Sequence, residues 1–182
     1  KGPRVAIVTN AGGPGVMATD ALERNSLRLA ELQPETEQVL QAALPAAANI
    51  HNPVDVLGDA LADRYATALA AVLKDPGVDG AIVILTPQTS TDIVGTAQGL
   101  VEVSRTSDKP IMACWMGKKE VSAGIRILAE NRVPNYPFPE RAVASLGAMY
   151  RYWSWTQQPE TEIETFDMDK EAVSKLFANI RS

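Results

Sequence analysis

The sequence predicts an α/β protein, a doubly wound parallel sheet in three layers with helices on both faces. Three observations predict it. Short β-branched runs alternate with segments of helical period along most of the chain. Two of the runs, 5–9 and 81–85, are apolar nearly throughout, as strands buried on both faces are. The first run gives way at once to a glycine-rich loop and an amphipathic pattern, which reads as strand, tight loop, helix N-terminus.

The elements follow in order. Strand-like runs occupy 5–9, 27–32, 80–85 and 111–114, with a fainter one at 133–136. Helical patterns fill 16–24, 34–44, 61–74, 92–105, 118–131 and 139–152. The stretch 46–60 is too polar at its centre and too rich in turn formers for a helix; it reads as an ordered loop with a short extended piece at 54–57. Five strands in this order suggest the flavodoxin-like arrangement 2-1-3-4-5, in which ligands bind where the first and third strands diverge. That order sets the loops 10–15 and 86–90 side by side at the C-terminal edge of the sheet.

The domain so described covers 1–155. From 156 to 168 the chain carries Pro159, Glu160, Glu162, Glu164 and Asp167 with little to bury, and reads as an exposed acidic linker. Residues 169–182 resume a helical pattern, with Ala172, Val173, Leu176, Phe177 and Ile180 on one stripe.

Composition narrows the function. A chain of 182 residues, 46% hydrophobic and 21% charged, holds one domain with a full core. The net charge of -5, without a lysine or arginine cluster, argues against a nucleic-acid partner. One cysteine, Cys114, and one histidine, His51, leave no disulfide within the chain and little from which to build a zinc site. No apolar run approaches the roughly 20 residues that span a bilayer, and no signal peptide is evident, so no membrane partner and a cytoplasmic location are expected. The chain starts at Lys1 without an initiator methionine and reads as part of a longer polypeptide.

Chemistry concentrates in the first loop. Asn10, Ala11, Gly12, Gly13 and Gly15 precede a helix, so free N–H groups and the positive end of a helix dipole converge on one point, suited to a phosphate or carboxylate. The loop lacks the lysine of a P-loop and the GxGxxG spacing of a dinucleotide site. The plain alternative is a tight turn with no ligand. His51, beside Asn52 and Pro53, reads as a surface or loop-packing residue, and Cys114 as a buried strand residue. Asp55 and Asp59 read as loop-orienting carboxylates, and Tyr150, Tyr152, Trp153 and Trp155 as a seal between the last helix of the domain and a neighbour.

The segments RVAIVTNAGGPGVMATDAL, NPVDVLGDA with RYATAL after it, DGAIVILTPQ and VPNYPFPERAVASLGAMYRY resemble, in order and spacing, one domain of the NDP-forming acyl-CoA synthetases, above all the ADP-forming acetyl-CoA synthetases related to succinyl-CoA synthetase. The resemblance covers about residues 2–155 and implies the flavodoxin-like domain often counted as the fifth. In that family acyl-CoA, phosphate and ADP give an acid, CoA and ATP through an acyl phosphate and a phosphohistidine. By resemblance, the helix that follows the glycine loop is one of two aimed at the phosphohistidine. Asn10 matches an asparagine that contacts the acid, and Gln88, Thr89 and Ser90 stand where the family has a Gly-Gly-rich substrate loop.

His51 does not match the phosphorylated histidine, so the resemblance places no catalytic residue in this chain and expects the chain alone to be inactive. CoA, ADP or ATP, phosphate and Mg are then cofactors of the parent enzyme, with no metal site and no bound cofactor in this domain alone. The implied partners are the CoA-binding, phosphohistidine-bearing and ATP-grasp domains or subunits, the terminal helix resembling a linker to the last of these. A ligand-sensing regulatory module, like the synthetase-like region of some lysine acetyltransferases, is the alternative; a free-standing binding protein is a third reading.

Overall fold

The computed structural model describes residues 2–159 and 169–180. In order these form β1 (Arg4–Thr9), α1 (Gly12–Glu23), β2 (Arg28–Leu29), α2 (Pro34–Ala43), β3 (Val54–Asp55), α3 (Ala62–Lys74), β4 (Gly80–Leu85), α4 (Ile93–Ser104), β5 (Ile111–Trp115), α5 (Ser122–Glu130), α6 (Pro139–Thr156) and α7 (Lys170–Ile180). Every strand pairing is parallel, in the order β2-β1-β4-β5, with β3 also against β1. A parallel bridge from Ala113 to Asn135 extends the far edge at the faint run 133–136. The α/β doubly wound sheet expected from the sequence is therefore present.

Period-two alternation divides the core. Val5 and Ile7 of β1, Ile82 and Ile84 of β4, and Met112 and Cys114 of β5 pack with α1 and α6. Ala6, Val8, Ala81, Val83, Leu85, Ala113 and Trp115 face the opposite layer with α3, α4 and α5. Both faces are covered, which explains the unbroken apolar runs.

Several boundaries differ from the sequence reading. The first helix begins at Gly12 rather than 16, so Gly12, Gly13, Pro14 and Gly15 form its first turn. Glycine and proline weaken a helix interior, but the first N–H groups have no intrahelical acceptor, so the penalty is small there. The second strand shrinks from 27–32 to two residues, because the middle of β1 is paired by a side chain instead. Asn52 Oδ1 accepts from Ile7 N–H at 2.9 Å, and Nδ2 donates to Val5 O and Ala30 O, each at 2.9 Å. One amide thus fills the gap between β2, beside the start of β1, and β3, beside its end. The extended piece at 54–57 stops at Asp55, whose Oδ1 accepts from Leu57 N–H at 2.9 Å as Leu57 turns at φ 72°. The terminal helix is present as α7, and the expected acidic linker lies outside the described residues from 160 to 168.

Candidate functional site

β1 and β4 are neighbours whose connections leave in opposite directions, and the crevice beyond their carboxyl ends is the usual ligand position in such sheets. Here that crevice is stitched closed. Asn10, only 4% exposed, accepts at Oδ1 from Thr86 N–H (2.9 Å) and Thr86 Oγ1 (3.1 Å), and donates from Nδ2 to Thr86 O (2.8 Å). Tyr65 of α3 donates from its hydroxyl to Ile84 O at 2.9 Å. Burial, then the Asp55 charge, holds this phenol well above its usual range against the opposing pull of the Asn10 backbone, so it remains a neutral donor.

The open donors lie one step further on. Ala11 N–H is taken by Thr9 Oγ1 at 3.1 Å, and Ala11 O accepts from Thr9 Oγ1 at 2.9 Å and Gly15 N–H at 3.4 Å. No side chain caps α1, and Pro14 has no N–H. Gly12 and Gly13 keep exposed N–H groups with no partner among the described residues.

These two glycines differ from others in the fold. Gly117 has a φ of 114°, and a Cβ on Gly124 would strike Trp115. Gly15 packs closely, its Cβ position 3.3 Å from Thr9 Cγ2. Gly12 and Gly13 have neither reason, because their φ is not positive and a Cβ on either would meet nothing within 4 Å. Neither backbone conformation nor packing requires glycine there; the space beside two free amides is simply left open.

Around this cradle, the Cβ position on Gly58 is 3.7 Å from Gln88 Cγ and 3.9 Å from Asn10 O, and that on Gly117 is 3.4 Å from Pro87 Cγ. Gln88 is fastened by N–H donation to Thr91 Oγ1 at 2.8 Å and Nε2 donation to Thr86 Oγ1 at 3.3 Å, with Thr89 and Ser90 exposed beside it. Val16 and Met17 on α1, Leu61 and Val94 at the starts of α3 and α4, and Phe138 at the start of α6 are exposed apolar residues at the same sheet edge.

The structure therefore brings Asn10, Gly12, Gly13 and the 88–90 loop to one edge, and gives the N–H groups of Ala11 and Gly15 internal acceptors. Thr86 and Tyr65, which lock the edge, fall within the segments DGAIVILTPQ and RYATAL, but nothing in the sequence marks either as a hydrogen-bonding partner there. His51 lies apart, its Nδ1 2.6 Å from Oε1 of half-buried Glu37 on α2. Cys114 is buried, and burial, then Glu140, pushes its thiol up to about 12. Asp59 pairs with Arg64 at 2.7 Å, which holds its carboxyl below the usual range. Among the described residues no group of three His, Cys, Asp or Glu side chains could hold a metal, and no helix is long and apolar enough to cross a membrane.

Comparison with known proteins identifies relatives of the chain. Residues 5–158 match the model of the Ligase-CoA domain family. The chain is 40% identical over 152 residues to an ADP-forming acetate–CoA ligase of Archaeoglobus fulgidus, covering 84% of this chain and 21% of that protein. It is 32% identical to an ADP-forming 4-hydroxybutyrate–CoA ligase of Nitrosopumilus maritimus, covering 97% of this chain and 25% of that protein. A solved acetyl-coenzyme A synthetase of Ca. Korarchaeum cryptofilum, described as in complex with phosphate and ADP, superposes with a TM-score of 0.77 at 31% identity, over 88% of this chain and 36% of that one. The chain thus spans a quarter or less of the two curated relatives' length.

Proposed function

The chain belongs to the Ligase-CoA domain family, and from that premise we propose that it is the anion-cradling domain of an ADP-forming acyl-CoA synthetase. The carrying observation is the pair Gly12 and Gly13, with unpartnered N–H groups and no conformational or packing need for glycine. The group they serve is a phosphoryl group on a histidine presented by another part of the enzyme.

The chemistry follows from the donors. A phosphoryl group on histidine is strongly anionic, and the start of α1 offers two hydrogen bonds and roughly half a unit of positive charge. These fixed dipoles are aligned before the anion arrives, so little reorganisation opposes binding. Residues 10–15 include no lysine or arginine to form a tight ion pair with the group, which stays transferable. Asn10 acts as a buttress that holds the 86–90 loop beside the cradle, while Gln88, Thr89 and Ser90 offer polar side chains to the acyl substrate. The exposed apolar set of Val16, Met17, Leu61, Val94 and Phe138 suits the face of the histidine-bearing domain, whose docking excludes water from the cradle. CoA and the nucleotide belong to other parts of the enzyme.

The test is the pair Gly12→Ala and Gly13→Ala in the complete synthetase containing this chain. Added methyl groups meet no protein atom, so the fold persists, and helix propensity favours alanine by up to about 1 kcal/mol. Phosphoenzyme formation from labelled phosphate is expected to fall by at least about tenfold, since a methyl group stands in the anion's approach. Unchanged phosphorylation and turnover would overturn the proposal.

A further inference from the structure

The twelve large hydrophobic side chains exposed among the described residues sort by position. Five lie at the sheet edge that carries the cradle, and Val39 borders a hollow of about 650 Å³ between α2 and α3. The other six form two stripes: Met149, Tyr152 and Trp155 on the last turns of α6, and Val173, Leu176 and Phe177 on α7. Tyr152 and Trp155 are 66% and 64% exposed, and Leu176 and Phe177 are 63% and 64% exposed. The stripe on α6 runs at i, i+3, i+6 and that on α7 at i, i+3, i+4.

We propose that the apolar stripe of α7 docks on the aromatic stripe of α6 in the same chain. The side chains of α7 from Lys170 to Asn179 are all exposed, which leaves its apolar stripe open to water, and helices this short are marginal on their own. α7 therefore needs a partner surface. The tether selects which one: residues 157–169 join the end of α6, where the aromatic stripe lies, to the start of α7. Thirteen residues can bridge at most about 45 Å, a reach that lets α7 lie beside the last turns of α6. At that spacing the effective concentration of one stripe at the other is on the order of millimolar.

The receiving face is already ordered. The Tyr152 and Trp155 rings lie 5.9 Å apart, and Tyr150 and Trp153 stack at 6.2 Å on the same turns. Rigid aromatic side chains with few rotors lose little entropy on contact. Leu176 and Phe177, adjacent on α7, fit the grooves between such rungs as a ridge. This packing is independent of the cradle, which lies at the opposite end of α6.

Hydrogen exchange of the full 182-residue chain tests the inference, with the α7 sequence as a free peptide for reference. Amides of α7 are expected to show protection on the order of tenfold or more over the peptide, independent of protein concentration. Trp155→Glu, Tyr152→Glu and Phe177→Glu should each abolish it while amides of β1 and β4 stay protected, since all three side chains are exposed. Peptide-like exchange in the unaltered chain would overturn the proposal. So would protection that rises with concentration, which means docking on a second copy, or that survives Trp155→Glu but falls in Val39→Glu, which means docking between α2 and α3.

Discussion

At the scale of single residues, function and stability separate within a few positions. Gly12 and Gly13 keep a surface open, whereas Asn10 spends its amide on Thr86. Asn10→Ala removes the acceptor of Thr86 N–H and the donor to Thr86 O in a nearly buried setting. The loss is expected to be about 1–3 kcal/mol, read by urea unfolding of the chain. A change below a few tenths would show that the stitch carries no load. The sequence makes the glycines visible as a cluster, but it does not tell a glycine needed for packing, such as Gly15, from one that leaves room for a ligand. That difference lies in what a Cβ would touch, which only the folded neighbours determine. Asn10 shows the same limit, since its exposure and partner depend on a strand that begins 70 residues later.

At the scale of elements, the long buried strands β1, β4 and β5 were legible because their apolar runs have no other use. β2 and β3 were legible as extended stretches at 27–32 and 54–57 but not in their length, because a side chain, Asn52, does the pairing between them, and period alone carries no trace of that. Helix starts were misread where glycine, proline or lysine precedes the apolar stripe: α1 begins at Gly12, four residues before the start read from the sequence, and α5 at Ser122, four residues after it. The N-terminal ends of β1 and β4 are joined by Arg4 and Asp79, with Nε to Oδ2 at 2.8 Å and Nη2 to Oδ1 at 2.9 Å. The Arg4 side chain, opposed by burial and aided by the Arg4 backbone N–H, holds the Asp79 carboxyl below its usual range. A carboxyl with its folded pKa below the unfolded value of about 3.9 contributes stability that is complete above that pH and lost as pH falls through the folded value. Asp79→Asn is therefore expected to lower stability at neutral pH and to flatten its decline between about pH 5 and pH 2. An unaltered decline, followed by denaturant unfolding across that range, would remove Asp79 from the account.

At the scale of the whole molecule, the sheet, its two helix layers and the cradle form a platform whose chemistry is half complete. Backbone donors stand at one sheet edge, exposed apolar side chains lie at the same edge, and the single histidine sits elsewhere against Glu37. Such a surface fits a domain that receives a charged group rather than one that makes it. The central claim is that Gly12 and Gly13 are the receiving donors. Its most direct measurement is the titration of the nitrogen-15-labelled chain with inorganic phosphate and with phosphoramidate, a mimic of the phosphorylated imidazole nitrogen. The account predicts weak binding in which the amides of Gly12 and Gly13 shift most, with smaller changes along the first turn of α1. Absence of shifts at both glycines, or larger ones at another surface, would contradict it.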